Sequence, residues 1–172
     1  MDLLYLHLVL NHFPVIGTLI GIALLILGFV SRSDAVKRAS LVVLIGMAVM
    51  TVPVYLTGEP AEERVENAVG VSKPLIEEHE EAANLAFAAM GVGGFVALAS
   101  LLIAFRAAKY ANVGFAAALV VSLAAFGLVT RTASLGGQIR HAEIRPGTSS
   151  QANPETEKKQ KEREKENDDN RD

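Results

Sequence analysis

The chain has 172 residues, is 51% hydrophobic and carries a formal net charge of -3. Its charges are segregated: positions after about 145 are almost wholly polar, so the first part is far more apolar than the mean, the pattern of a membrane domain with a solvated tail. Cysteine is absent, which excludes disulfides, thiolate metal sites, iron–sulfur clusters and covalently attached haem.

Four stretches, Leu3–Val30, Ala39–Thr57, Ala82–Phe105 and Tyr110–Thr130, contain no Asp, Glu, Lys or Arg. Each approaches or exceeds the roughly 20 apolar residues a helix needs to cross ~30 Å of hydrocarbon. The first run lacks a basic leader and reads as a permanent anchor rather than a cleaved signal. The connection Ser31–Arg38 holds Arg32, Lys37 and Arg38, and Arg106–Lys109 is again basic. Basic short loops face the cytoplasm, so the reading is a multi-pass inner (plasma) membrane protein with both termini outside.

Between the second and third spans, Gly58–Glu81 carries eight glutamates. Thr57-Gly58-Glu59-Pro60 reads as a helix start, with an apolar side at Val65, Ala68 and Val69 and a stop at Gly70. Ser72 is placed to cap a further helix, with Pro74 in its first turn, that runs through His79 into the third span. Small residues recur at packing spacings: Gly17-x-x-x-Gly21, Ala89-x-x-x-Gly93-x-x-x-Ala97 and Gly114-x-x-x-Ala118. The end of the fourth span carries a polar stripe, Arg131, Ser134, Gln138 and His141, expected to face the bundle or the outer loop rather than lipid. From Pro146 the tail interleaves lysine, arginine and glutamate without apolar period. The predicted architecture is therefore all-α: a four-helix transmembrane bundle over residues 1–145 with a short outer amphipathic helix, and a charged, disordered tail over 146–172.

Four histidines stand out: His7, His12, His79 and His141. Counting 1.5 Å per residue from the inner charges puts them at ~37, ~30, ~40 and ~48 Å, all at the outer boundary. An interfacial histidine is cheap, so any one of them alone means little. As a set, beside Asn11 and Pro14, they point to a ligand site, because imidazole is the commonest metal and haem ligand among side chains. Bis-histidine ligation of a b-type haem needs no cysteine. Ala82, Ala83, Ala86 and Met90 form a small-residue face beside which a flat macrocycle fits. His12 and His79 rank first as ligands, then His7 and His141. A divalent metal held by three imidazoles, with Glu78 or Glu81, is the alternative ligand set.

The stretches His7-Leu8-Val9-Leu10-Asn11-His12-Phe13-Pro14, Thr57-Gly58, His79 and Gly136-Gly137-Gln138-Ile139-Arg140-His141 together resemble a family of small predicted membrane proteins catalogued as domain of unknown function 2231. The likeness covers roughly residues 5–142, and departs at Leu8, where that family usually has proline, and at Asn11. It implies a topology and a shared histidine site, but no reaction.

Catalytic signatures are missing: there is no Ser-His-Asp spacing, no phosphate-cradling glycine loop and no H-E-x-x-H. Glu77-Glu78-His79-Glu80-Glu81 lacks the E-x-x-H of di-iron bundles, because Ile76 stands where the glutamate belongs. No charge lies at mid-membrane to mark a transport path, and no basic surface outside the tail suits nucleic acid. Two classes of function stay open: a haem- or metal-binding protein, with electron transfer to a redox partner, or a non-catalytic interaction subunit of a larger membrane complex.

Overall fold

A computed structural model describes residues 2–68 and 71–145. The predicted tail over 146–172, and the apolar Val69 and stop Gly70 of the outer helix, lie outside the described residues. Every described element is helical: α1 (Leu3–Leu10), α2 (His12–Val30), α3 (Asp34–Leu56), α4 (Gly58–Val65), α5 (Lys73–Arg106) and α6 (Ala111–Arg140), with 3-10 turns at Ala108–Tyr110 and Ala142–Ile144. Met1–Arg140 forms one compact unit, and His141 begins a second, five residues before the boundary read from composition.

Proline places two of the helix ends. Proline has no N–H to give to the carbonyl four residues back, which removes one helical bond without always ending the helix, since Pro53 lies inside α3. α1 stops at Leu10, four residues before Pro14, and α3 stops at Leu56, four before Pro60. Neither stop breaks the course of the chain, because Asn11 and Thr57 both stay near helical dihedrals. α1 with α2 therefore makes one span, and α3 continues into α4. α5 runs unbroken through His79, with Ser72 at its N-cap position and Pro74 in the first turn; the Ser72 side chain makes no cap bond.

α2 turns into α3 through a tight C-cap. Ser33 N–H reaches the Gly28 carbonyl at 3.0 Å and Arg32 N–H the Phe29 carbonyl at 3.2 Å, with Arg32 left-handed at φ 53°. Ser33 Oγ then accepts from Val36 N–H at 3.4 Å and starts α3.

In the compact unit α2, α3, α5 and α6 pack in a ring, each antiparallel to its two neighbours. Four helical segments are long and apolar enough to cross a membrane. Large apolar side chains such as Phe95, Phe105, Val113 and Val120 point outward, 66–72% exposed, a surface that water does not favour and lipid does. The interior is built from small and aliphatic groups. One cluster, around Leu25, Leu41, Leu44, Ala97, Phe115 and Ala118, fills one half, and Ala86, Met90, Ala125 and Val129 fill the other. Apolar side chains gain little by leaving lipid for protein, so close approach carries the packing. The three small-residue motifs stand at these contacts. Gly17 and Gly21 lie against Met47 and Leu44, Gly93 and Ala97 are buried, and Gly114 lies against Ser100, whose hydroxyl donates to the Gly114 carbonyl at 2.9 Å.

α4 is shorter than its apolar pattern implied. Ala61 is its buried residue, and Ala68 lies beyond its end. It runs alongside α1, where Arg64 lies 3.7 Å from Asp2. Asp2 itself caps α1 by accepting from Leu4 N–H at 3.1 Å. The start of α1, the end of α3, the start of α5 and the end of α6 therefore share one end of the bundle, the histidine end. The opposite end holds Lys37.

Candidate functional site

His7 and His79 are held by the same device. His7 Nδ1 lies 3.1 Å from the Val54 carbonyl of α3, and His79 Nδ1 lies 3.0 Å from the Thr132 carbonyl of α6. A carbonyl oxygen only accepts, so each ring must carry its proton on Nδ1. Thr57 Oγ1, 3.2 Å from His7 Nδ1, agrees with this, since its own hydrogen is directed at the Pro53 and Val54 carbonyls. Each Nε2 then keeps a free lone pair. Among the described residues no hydrogen bond reaches either Nε2, and neither atom is sealed inside the protein. A backbone carbonyl on Nδ1–H with Nε2 left open is how proteins orient histidines that bind metals or haem.

A glycine backs each ring, four residues after the carbonyl that holds it. A Cβ at Gly58 would lie 3.7 Å from His7 Cε1, an ordinary contact, whereas one at Gly136 would lie 3.0 Å from His79 Cε1 and 3.3 Å from Nδ1. A side chain at position 136 would therefore require the His79 ring to give by a few tenths of an ångström. The two imidazoles are also near enough for a charge on one to be felt at the other. Both are half-buried at the same end of the bundle.

The other two histidines are placed differently. His12 is exposed, and its Nδ1–H bonds the Leu8 carbonyl of its own chain turn at 3.0 Å. His141, the first residue of the second unit, is exposed and lies 2.8 Å from Glu143 Oε1. His7 and His79 are thus the two half-buried rings held by a carbonyl of another helix, while His12, which ranked first with His79 by sequence, is held by its own turn. Among the described residues no three of His, Cys, Asp or Glu converge as a metal cluster. Glu78 is engaged elsewhere, 3.2 Å from Arg131. The polar stripe of α6 is accordingly a surface feature: Arg131 and Ser134 are exposed, and Leu135 and Ile139 form the buried side.

The small-residue face offered for a macrocycle is spent on packing. Ala82, Ala86 and Met90 are buried, the last two against Ala125 and Val129 of α6. Nearer the histidine end, Tyr55 stacks on Phe87 with centroids 4.3 Å apart and donates its hydroxyl to Asn84 Oδ1 at 2.6 Å. Glu59, Glu66, Glu77 and Glu80 surround Glu62, so the rim of this end is strongly acidic.

No protein-family model matches the chain, and no curated protein or solved structure is significantly similar to it. The family resemblance rests on the motifs alone.

Four structural contributors leave little trace in the sequence. The Val54 and Thr132 carbonyls have no side-chain signature. Gly136 was visible only as part of a motif. Lys37, counted as a loop cation, is buried: its Nζ lies 2.6 Å from Asp34 Oδ1 and 2.8 Å from Asn112 Oδ1.

Proposed function

We propose that this is an inner-membrane protein that binds a b-type haem between His7 and His79 at its outward face and serves in electron transfer. The observation that carries the reading is the matched pair of imidazoles, each with Nδ1–H committed to a backbone carbonyl and Nε2 left open. Haem suits a two-imidazole site better than a bare metal ion does. A metal bound only by protein commonly takes three or four side-chain ligands, whereas the macrocycle supplies four donors and asks the protein for two. When bound, such a group supplies one-electron chemistry. The protein's part is to orient the two rings and to exclude competing ligands from the site.

The acidic rim formed by Glu59, Glu62, Glu66, Glu77 and Glu80 supports a second element of the reading. Concentrated like charge steers a partner of opposite sign, so a basic redox protein, or a basic surface of a larger membrane complex, is the partner of this face. The positions of Arg32, Lys37, Arg38, Arg106 and Lys109 at the other end support a cytoplasmic location for that end. The motif resemblance to domain of unknown function 2231 fits the same topology.

An absorption spectrum and iron analysis of the detergent-purified protein, expressed in haem-replete cells, test the assignment. The expected result is a low-spin haem spectrum with stoichiometric iron. A colourless, iron-free protein would remove the haem and leave the interaction-subunit reading.

A further inference from the structure

His79 stands 72 positions after His7, and Thr132 stands 78 after Val54. The same two offsets relate the rest of the compact unit. The first carries the buried Pro14, Thr18, Gly21, Leu25 and Gly28 of α2 onto Ala86, Met90, Gly93, Ala97 and Ser100 of α5, all buried. The second carries Lys37, Ser40, Leu44 and Thr51 of α3 onto Phe115, Ala118, Ser122 and Val129 of α6, again all buried. The six-residue difference falls at the hairpin turn, where α5 runs longer and a 3-10 turn is added.

Helical period alone would align buried stripes at several registers. It would not align individual contacts. Gly21 lies against Leu44 and Val43, and Gly93 against Val121 and Ala125, so at this register the two glycines share one equivalent neighbour, Val43 with Val121. Gly58 falls on Gly136, so both histidines rest on equivalent glycines and bond equivalent carbonyls.

Equivalent residues also meet each other across the centre of the bundle. Thr18 Oγ1 lies 3.8 Å from its counterpart, Met90 Sδ. Lys37 Nζ lies 4.9 Å from the ring centroid of its counterpart, Phe115, and binds both Asp34 and that residue's counterpart, Asn112. The small central cavity is lined by Thr18 with Met90 and by Leu44 with Ser122. A residue touches its own equivalent only beside a twofold axis. These contacts therefore mark a pseudo-twofold axis along the bundle, the arrangement of parallel repeats in membrane proteins. His7 and His79, bonded to equivalent carbonyls, stand at one end of the bundle.

We propose that the chain is one helical hairpin duplicated, and that His7 and His79 are equivalent halves of a single ligand site on the pseudo-twofold axis, with Gly136 as a positioning residue for the His79 ring. The ligand class follows from the symmetry and rests on the haem reading above: a planar group with two like faces, coordinated once from each repeat.

The test uses the full chain in detergent, with histidine labelled with nitrogen-15, in wild-type form and as Gly136→Ala and Gly58→Ala. Nitrogen NMR of the haem-free protein reads the tautomers, and titration with haemin reads ligation. Equivalence predicts neutral Nδ1–H tautomers at both His7 and His79. Gly136→Ala should shift the His79 signals, spare those of His7 and convert bound haemin from low-spin to high-spin; Gly58→Ala should give a smaller shift, at His7. Retained helicity in both variants separates ring displacement from misfolding. Different tautomers at the two rings, or a His79 signal indifferent to Gly136→Ala, would overturn the equivalence even if haemin binds. Matching tautomers in a protein that ignores haemin would uphold the equivalence and overturn the haem.

Discussion

The two ends of the bundle each hold nitrogen-bearing side chains near the central axis, and they use them in opposite ways. At the lysine end, the Lys37 ammonium is hidden but met on every side. Asp34 and Asn112 accept from it at 2.6 and 2.8 Å, and the rings of Phe29 and Phe115 stand 5.3 and 4.9 Å away. At the histidine end, each imidazole spends one nitrogen on a carbonyl and leaves the other open. A buried polar group whose capacity is fully used is a joint of the architecture. One whose capacity is half used, on a ring that the backbone holds still, is a place for something to bind.

That contrast can be broken by mutation. Lys37→Ala should give the largest stability loss, about 2–3 kcal/mol, because it removes a packed stem and strips Asn112 of its donor. Thermal or denaturant unfolding in detergent reads the loss, while the haem spectrum of the folded fraction should stay as it was. At the histidine end, Tyr55→Phe should cost about 1 kcal/mol, the worth of its hydrogen bond to Asn84, since the stack on Phe87 survives. Arg131→Ala should cost no more than about 0.5 kcal/mol, and less at high salt, because both it and Glu78 are half-exposed.

The smallest effect is expected in the second unit. A hydrogen bond from its own backbone N–H, and then His141, hold the Glu143 carboxyl below its usual range. A carboxyl so lowered adds stability at neutral pH that is lost as the pH falls through the acidic range of its titration. Both groups are open to solvent, so His141→Ala should leave the melting temperature unchanged between neutral and mildly acidic pH. A clear loss on that substitution would mean that this histidine does more than pair with its neighbour.

Much of the fold was legible because lipid leaves the backbone few options. The absence of charge over Leu3–Val30, Ala39–Thr57, Ala82–Phe105 and Tyr110–Thr130 marks the four segments long and apolar enough to span a membrane, and Thr57-Gly58-Glu59-Pro60 marks the start of α4. The site was legible in height but not in angle. Counting residues put His7 level with His79, whereas the choice between His7 and His12 depends on which neighbour stands on each side of α1. His7 is met by the Val54 carbonyl and by Thr57, tertiary contacts with no local trace in the sequence. The duplication was hidden for another reason. Apolar side chains interchange freely in lipid-facing helices, so the repeat survives as identity at only a few positions, among them His7 with His79, Gly21 with Gly93, and Gly58 with Gly136.

Paired histidine substitutions read by a reduced-minus-oxidised spectrum test the central claim most directly. The account predicts a low-spin haem signal in wild type, lost in both His7→Ala and His79→Ala, and kept in His12→Ala. A signal that survives both of the first two substitutions and vanishes in the third would contradict it.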